Sequence, residues 1–430
     1  VYPRRILYRT AGVDQYKFTE KVIDTPYGGA LPHGGHVLGE KTMEIRSGSF
    51  YRFSCASWIL MSICELSVGG CGTNSSSTSG IKLGIIYSLS GDQASLDESS
   101  LKGAELAVDY INAHGGISGT PIALEIRDAA TSSTETPKQA EELFESEKVS
   151  LIVGLSDTDL AAPVAKLSQE LGRIFITSGA TGPVLTTLGP QSTFLACFSD
   201  DSQAMAASRF ARERLRARSA LVAYDQGTEY ARILSTSFSK SFTASGGKVS
   251  GHFRFTVENT NTAALTKELI RTNPDIVFLA AQPDEVADVI RSLRSTGFTK
   301  PIVGGDSYDS ARIYDLSSTE KAKVYFTTHT LLTASSSNPR IEEFMKQYKS
   351  YYGEEPTSAF AALGYDAVRL ASLAIGKDQS VEPGAIRSAL ESIREYPGVT
   401  GSISYGPAQH IPHKDVTIVT FDDGVPTRAQ

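Results

Sequence analysis

Cysteine is scarce in this chain, with four among 430 residues. Two of them lie in an apolar stretch near the N-terminus, the third is Cys71 and the fourth Cys197, with no C-x-x-C pair. That leaves neither a disulfide framework nor a zinc-ligand spacing. An excess of basic charge is also missing: 48 acidic residues outnumber 41 basic ones for a formal net charge of −7, which excludes a nucleic-acid binder with a basic face. The one basic cluster, RFARERLRAR, places Arg209, Arg212 and Arg216 on one helical face and reads as solvated surface. Enzyme signatures are absent as well. There is no G-x-G-x-x-G, no G-x-S-x-G and no H-E-x-x-H, and SGGKVSG lacks both the P-loop spacing and a hydroxyl residue after Lys248. Histidines 114, 252, 329, 410 and 413 are dispersed; H-G-G-H (His33 to His36) has no third metal ligand nearby, and H-I-P-H (His410 to His413) sits near a predicted turn and is not read as a metal pair. No catalytic residue, cofactor or metal is therefore expected.

What is present begins with FYRFSCASWILMSICELSV, with Arg46 before it, Arg52 near its start, and the small residues Val68, Gly69 and Gly70 at its end. Basic flank, short apolar core and small residues are the order of a secretory signal, and the run is short of the roughly 20 apolar residues of a spanning helix. V-G-G-C resembles a bacterial lipobox, a reading in which Cys71 is the lipidated first residue of the mature chain and Gly72 to Gly80 a flexible tether; an ordinary cleaved signal and a structural apolar segment are the alternatives. Met43 is the expected true start. The expected division is thus residues 1–42 as an upstream extension, 43–70 as signal peptide and 71–80 as tether.

From Ile81 the pattern alternates between short β-branched runs and amphipathic helices. IKLGIIY precedes SLKGAELAVDYINAHGG, where Ala104, Ala107, Val108 and Ile111 fall at i, i+3, i+4 and i+7. PIALEIRD precedes TPKQAEELFESE, with Thr136 as the expected N-cap. VSLIVGL precedes DLAAPVAKLSQELG. The rhythm restarts after residue 200 with SALVAYD, KVSGHFRF, DIVFLA and PIVGG, and the chain ends in helices and the extended pieces GSISY and VTIVTF. This predicts an α/β protein with two doubly wound parallel-sheet lobes. Cys197, in the apolar run FLACF, is expected to be an inert core thiol.

Open α/β sheets bind ligands at the carboxyl ends of their strands. The loops there are GLSDTD, TSGATGP, FSDDSQ, YDQGTEY, LAAQPDE and GGDSYDS. The first two offer hydroxyls and helix-start N–H groups for a ligand carboxylate. The later ones carry Asp200, Asp201, Tyr230 and Asp306, which suit an ammonium. Each aspartate also serves as an ordinary cap or turn former at such a position.

In the order and spacing of GIIYSLSGDQASLDESSLKGAELAVDYINAHGGI, FITSGATGPVLT, FSDDSQ, GGDSYDS, YFTTHT, YGEEPTSAFAALGYDAVRLA and GVTGSISYG, residues 81 to 425 resemble the type I periplasmic solute-binding proteins of ABC transporters, in the branched-chain amino acid branch. The resemblance implies two lobes joined by a three-strand hinge, with lobe 1 at 81–199 plus 331–399, lobe 2 at 200–330 plus 400–430, and crossings near 200, 330 and 400. It implies an extracytoplasmic monomer that is anchored by lipid at Cys71, captures a small polar ligand such as an amino acid, and delivers it to an ABC permease. By the family pattern Ser156 or Thr158 with Ala180 and Thr181 hold the ligand carboxylate. Asp200 or Asp201 and Asp306 face its amino group, with Asp201 preferred of the pair, and Tyr230 covers it. Gln282, with Pro283, stands where branched-chain members often carry tyrosine, so the ligand need not be leucine-like; urea, amides and aromatic acids are bound elsewhere in the superfamily. The rival reading is a ligand-sensing receptor domain of the same fold, which would continue into a transmembrane segment and a cytoplasmic module, and neither is read before Gln430.

Overall fold

Strands that are apolar at every position can be covered only on both faces, and that is how this chain uses them. The computed structural model describes residues 80–257, 259–333 and 336–429. Cys71 and the leader lie outside the described residues. The first half runs β1 (Ile81–Tyr87), α1 (Ala94–Ala113), β2 (Ile122–Asp128), α2 (Glu135–Glu141), β3 (Leu151–Gly154), α3 (Thr158–Leu171), β4 (Ile174–Thr177), α4 (Val184–Leu188) and β5 (Thr193–Leu195). Then come α5 (Asp200–Glu213), β6 (Ser219–Asp225), α6 (Glu229–Ala244), β7 (Lys248–Phe255), α7 (Thr262–Thr272), β8 (Ile276–Ala280), α8 (Pro283–Ser295) and β9 (Ile302–Gly304). The remainder is α9 (Ala311–Tyr314), α10 (Ser318–Lys321), β10 (Val324–Thr328), α11 (Pro339–Tyr352), α12 (Phe360–Asp378), α13 (Pro383–Glu391), β11 (Tyr396–Gly398), β12 (Gly401–Ile403), β13 (Thr417–Asp422) and β14 (Val425–Arg428).

Two large sheets result, each wrapped by helices. One is all parallel in the order β2-β1-β3-β4-β5. The other has the order β14-β13-β10-β9-β8-β6-β7. In it β7, β6, β8, β9 and β10 are parallel, while β13 and β14 close one edge antiparallel. Apolar clusters fill both faces of each sheet, with Ile85, Val153 and Ile176 on one face of the first and Ile86, Ile152 and Phe175 on the other. The strand order reverses between β1 and β3 in the first sheet and between β6 and β8 in the second. Those are the switch points at which a crevice opens.

Helices α1 and α12 cover the first sheet together because both carry glycine at their crossing. A Cβ on Gly103 would overlap the Ala361 carbonyl, and one on Gly364 the Ser100 carbonyl. Local expectations mostly hold, with two differences. Helix α2 starts at Glu135, and Thr136 lies inside its first turn, donating its hydroxyl to the Ser132 carbonyl (2.7 Å) rather than capping. The segment after residue 400 was expected in lobe 2. Instead β12 pairs with β11, Tyr405 donates its hydroxyl to Leu195 O (2.7 Å) and Lys414 donates Nζ to Ala196 O (2.8 Å), so the chain stays with the first lobe until β13 begins at Thr417.

Candidate functional site

The residues after β3 and β4 form the first lobe's wall of the crevice. Asp157 caps α3, accepting from Leu160 N at 2.9 Å, which fixes Ser156 and Thr158 on either side of it. Thr158 Oγ1 accepts from Gly182 N (3.1 Å) and so ties this loop to the next. Within that second loop Ala180 N donates to Thr177 Oγ1 (3.0 Å), and the Ala180 carbonyl accepts from the Cys197 thiol (3.3 Å). Burial pushes that thiol's pKa up, in keeping with an unreactive core cysteine. Thr181 donates its hydroxyl to Asp200 Oδ1 at 2.7 Å. Ser156 Oγ sits 3.2 Å from Ser100 Oγ.

The opposite wall is an acidic network. Asp306 follows Gly305, where a Cβ would collide with the Tyr230 hydroxyl, so only glycine allows the approach. Oδ1 of Asp306 accepts from the Tyr230 hydroxyl and from Gln203 Nε2, both at 2.9 Å, and Oδ2 lies 3.1 Å from His329 Nε2. Gln203 also donates to Asp200 Oδ1 (2.9 Å), while its own Oε1 accepts from Asp306 N (3.1 Å) and the Thr327 hydroxyl (2.6 Å). All four of Asp200, Gln203, Asp306 and His329 are buried. Burial, and then the charge of Asp306, push the Asp200 carboxyl up to about 8. Burial holds the His329 imidazole below its ordinary range, so the neutral ring donates from Nε2 and presents Nδ1 as an acceptor. Asp200 Oδ2 and His329 Nδ1 have no hydrogen-bond partner. Such a site accepts hydrogen bonds and positive charge; it suits an ammonium.

The structure separates the expected residues. Hydrogen bonds tie Thr158 to the loop of Ala180 and Thr181, and Thr181 through Asp200 and Gln203 to Asp306 and Tyr230. Asp201 stands apart: it is exposed on α5 and accepts from the Ser237 hydroxyl (2.6 Å). The reason is helical phase, since Asp200, Gln203, Ala204 and Ala207 form the buried face and Asp201 falls on the face of exposed Met205. Gln282 meets neither carboxylate of this network; its side chain reaches Gln93 and Asp157 of the other lobe. Gln203 and His329 were missed because neither residue type is diagnostic without its partners. His410, considered above beside His413, stacks on Phe194 at 3.9 Å and directs Nδ1 at Thr193 O (3.0 Å), which makes it a packed core residue.

The periplasmic binding protein profile matches residues 80–425, nearly all of the described chain. The chain belongs to the periplasmic binding protein family. A Leu/Ile/Val-binding protein homologue of Brucella melitensis is 25% identical over 346 residues, spanning 80% of this chain and 92% of that protein. Among solved structures, the branched-chain amino acid transporter substrate-binding protein LivJ of Streptococcus pneumoniae, in complex with isoleucine, aligns with a TM-score of 0.74 at 27% identity, covering 81% of this chain and 100% of that one. Leucine-binding protein LivK of Thermotoga maritima aligns with a TM-score of 0.76 at 26% identity, covering 81% and 98%. The protein is thus a periplasmic binding protein, a member of an extracytoplasmic solute-binding family and not of an enzyme family. Among the described residues no helix is long and apolar enough to cross a membrane.

Proposed function

We propose that this periplasmic binding protein captures an α-amino acid between its lobes and hands it to the permease of an ABC transporter. The observation that carries the reading is Asp306, a buried carboxylate held by Tyr230, Gln203 and His329, with Asp200 beside it and one oxygen of Asp200 unpartnered. A ligand ammonium satisfies both acids, and the α3 N-terminus at Thr158 with the Ala180–Thr181 loop receives the carboxylate. The names of the relatives favour the same ligand class. Binding a ground state needs no nucleophile or general base.

On this reading the lobes are residues 81–198 plus 330–414, and 199–329 plus 415–429, and they close around the ligand at three crossings. A lipid on Cys71 holds the protein at the outer face of a membrane as a monomer. Calorimetry on the purified protein tests the ligand class. Micromolar or tighter binding of an α-amino acid, with none of its decarboxylated amine or of benzoate, is the expected result. Tight binding of benzoate or urea alone would overturn it.

A further inference from the structure

Four loops flank the two switch points, and in this chain their side chains meet across the crevice. Gln93, after β1, donates from Nε2 to Gln282 Oε1 at 2.6 Å, and Gln282, after β8, donates from Nε2 to Asp157 Oδ2, after β3, at 2.7 Å. Next to this relay, Asp159 accepts from Glu229 N on both its oxygens (2.9 Å each) and from Tyr230 N (3.4 Å) at the start of α6, after β6. Thr158 therefore lies between two residues that each bridge to the other lobe. The relay is anchored at its ends. Gln93 N donates to Thr131 Oγ1 (3.2 Å), Asp157 accepts from Leu160 N (2.9 Å), and Gln282 N donates to Glu285 Oε2 (3.3 Å) as part of the α8 capping box. Direct bonds of 2.6 and 2.7 Å leave no atom's width between the partners, so a ligand group enters between them only by breaking those bonds.

Resting on the amino-acid reading above, we infer that Gln282 limits the ligand's side chain: the crevice takes an α-amino acid with a short side chain, such as glycine, alanine or serine, and a branched aliphatic enters only by breaking the Gln93–Gln282–Asp157 relay. Next to the relay, Thr158 is bonded to Gly182 N and Thr181 to Asp200, the groups that the amino-acid reading gives to the zwitterion. A leucine side chain would have to displace a carboxamide satisfied at both ends and leave Asp157 Oδ2 and Gln93 Nε2, both on buried side chains, without the partner that Gln282 supplies.

Calorimetric titration of the full-length protein with glycine, alanine, serine, leucine and isoleucine, repeated on Gln282→Gly and Gln93→Ala, is the test. One misfit methylene changes affinity by about 10-fold or more, so the best small amino acid should bind at least about tenfold tighter than leucine. Gln282→Gly should erase that ratio, and Gln93→Ala, which cuts the relay from the other lobe, should reduce it. Leucine binding the unaltered protein as tightly as alanine overturns the inference while leaving the amino-acid reading intact. A preference for small ligands that survives both substitutions overturns the role of Gln282. Failure of all five to bind overturns the amino-acid reading and this inference with it.

Discussion

His329 donates from Nε2 to Oδ2 of Asp306 at 3.1 Å while its ring lies against Phe198 with centroids 3.8 Å apart. Phe198 lies between β5 and α5, and His329 follows β10. The Asp306 carboxylate is thereby joined to two segments that lie more than 100 residues apart in the chain.

Replacing His329 separates the two contacts. His329→Phe keeps a ring against Phe198 but leaves Asp306 Oδ2 without its donor, and an unsatisfied buried acceptor costs about 1–3 kcal/mol. A lower denaturant midpoint at unchanged slope is expected. His329→Gln restores a donor without the ring and should recover part of the loss. Two variants as stable as the parent would show the contact to be idle.

Asp306→Asn keeps the shape of the loop and removes the charge. A buried charge left without its partner costs about 3–5 kcal/mol, which at about 1.4 kcal/mol per decade is two to three orders of magnitude in ligand Kd. Calorimetry with a melting scan of the ligand-free variant checks this. An affinity within about threefold of the parent would make Asp306 scaffold.

Stability without ligand should fall as pH rises. Burial pushes Asp200 up to about 8, Asp97 and Glu285 to about 7, and Asp157 and Asp309 to about 6. The folded chain keeps these protons where the unfolded chain, titrating near 4, has lost them. Their contribution is therefore complete below about pH 4 and is lost as pH climbs through about 6 to 8. Melting temperatures at pH 5, 6, 7 and 8 should decline in that order. A ligand ammonium lowers the Asp200 pKa, so binding near pH 7 should release protons. Titrations in buffers of different ionisation enthalpy read that release directly.

Gly103→Ala or Gly364→Ala drives a methyl into a helix backbone, and overpacking of this kind costs about 1–3 kcal/mol. Each should lower the melting temperature. The pair should deviate from additivity because both act at the crossing of α1 and α12. Unchanged stability would mean that the two helices separate without cost.

Cys71→Ser should move the protein from the membrane fraction to the soluble one if a lipid there is its anchor. Unchanged partitioning would remove the lipoprotein reading.

The local periods of the chain determined the architecture. Runs such as IKLGIIY and DIVFLA, alternating with stripes such as Ala104, Ala107, Val108 and Ile111, admit little besides parallel sheets covered on both faces, and the strand exits then mark the crevice. Thr158, Tyr230 and Asp306 could be singled out for that reason, because each stands in a segment that follows a strand. What the sequence left open depended on distances between segments far apart in the chain. Asp200 and Asp201 are equivalent as letters, and only the packing of α5 against the second sheet decided which one turns inward. The segment up to Lys414 stays beside the end of β5 because Leu195 and Ala196, more than 200 residues earlier, offer carbonyls to Tyr405 and Lys414. Gln282 has the same nature. Its neighbours in sequence make it a helix cap, and only the apposition of two lobes brings Gln93 and Asp157 within hydrogen-bonding reach of it, since hydrogen bonds act over about 3 Å whereas sequence periodicity reports only which face of one element is apolar.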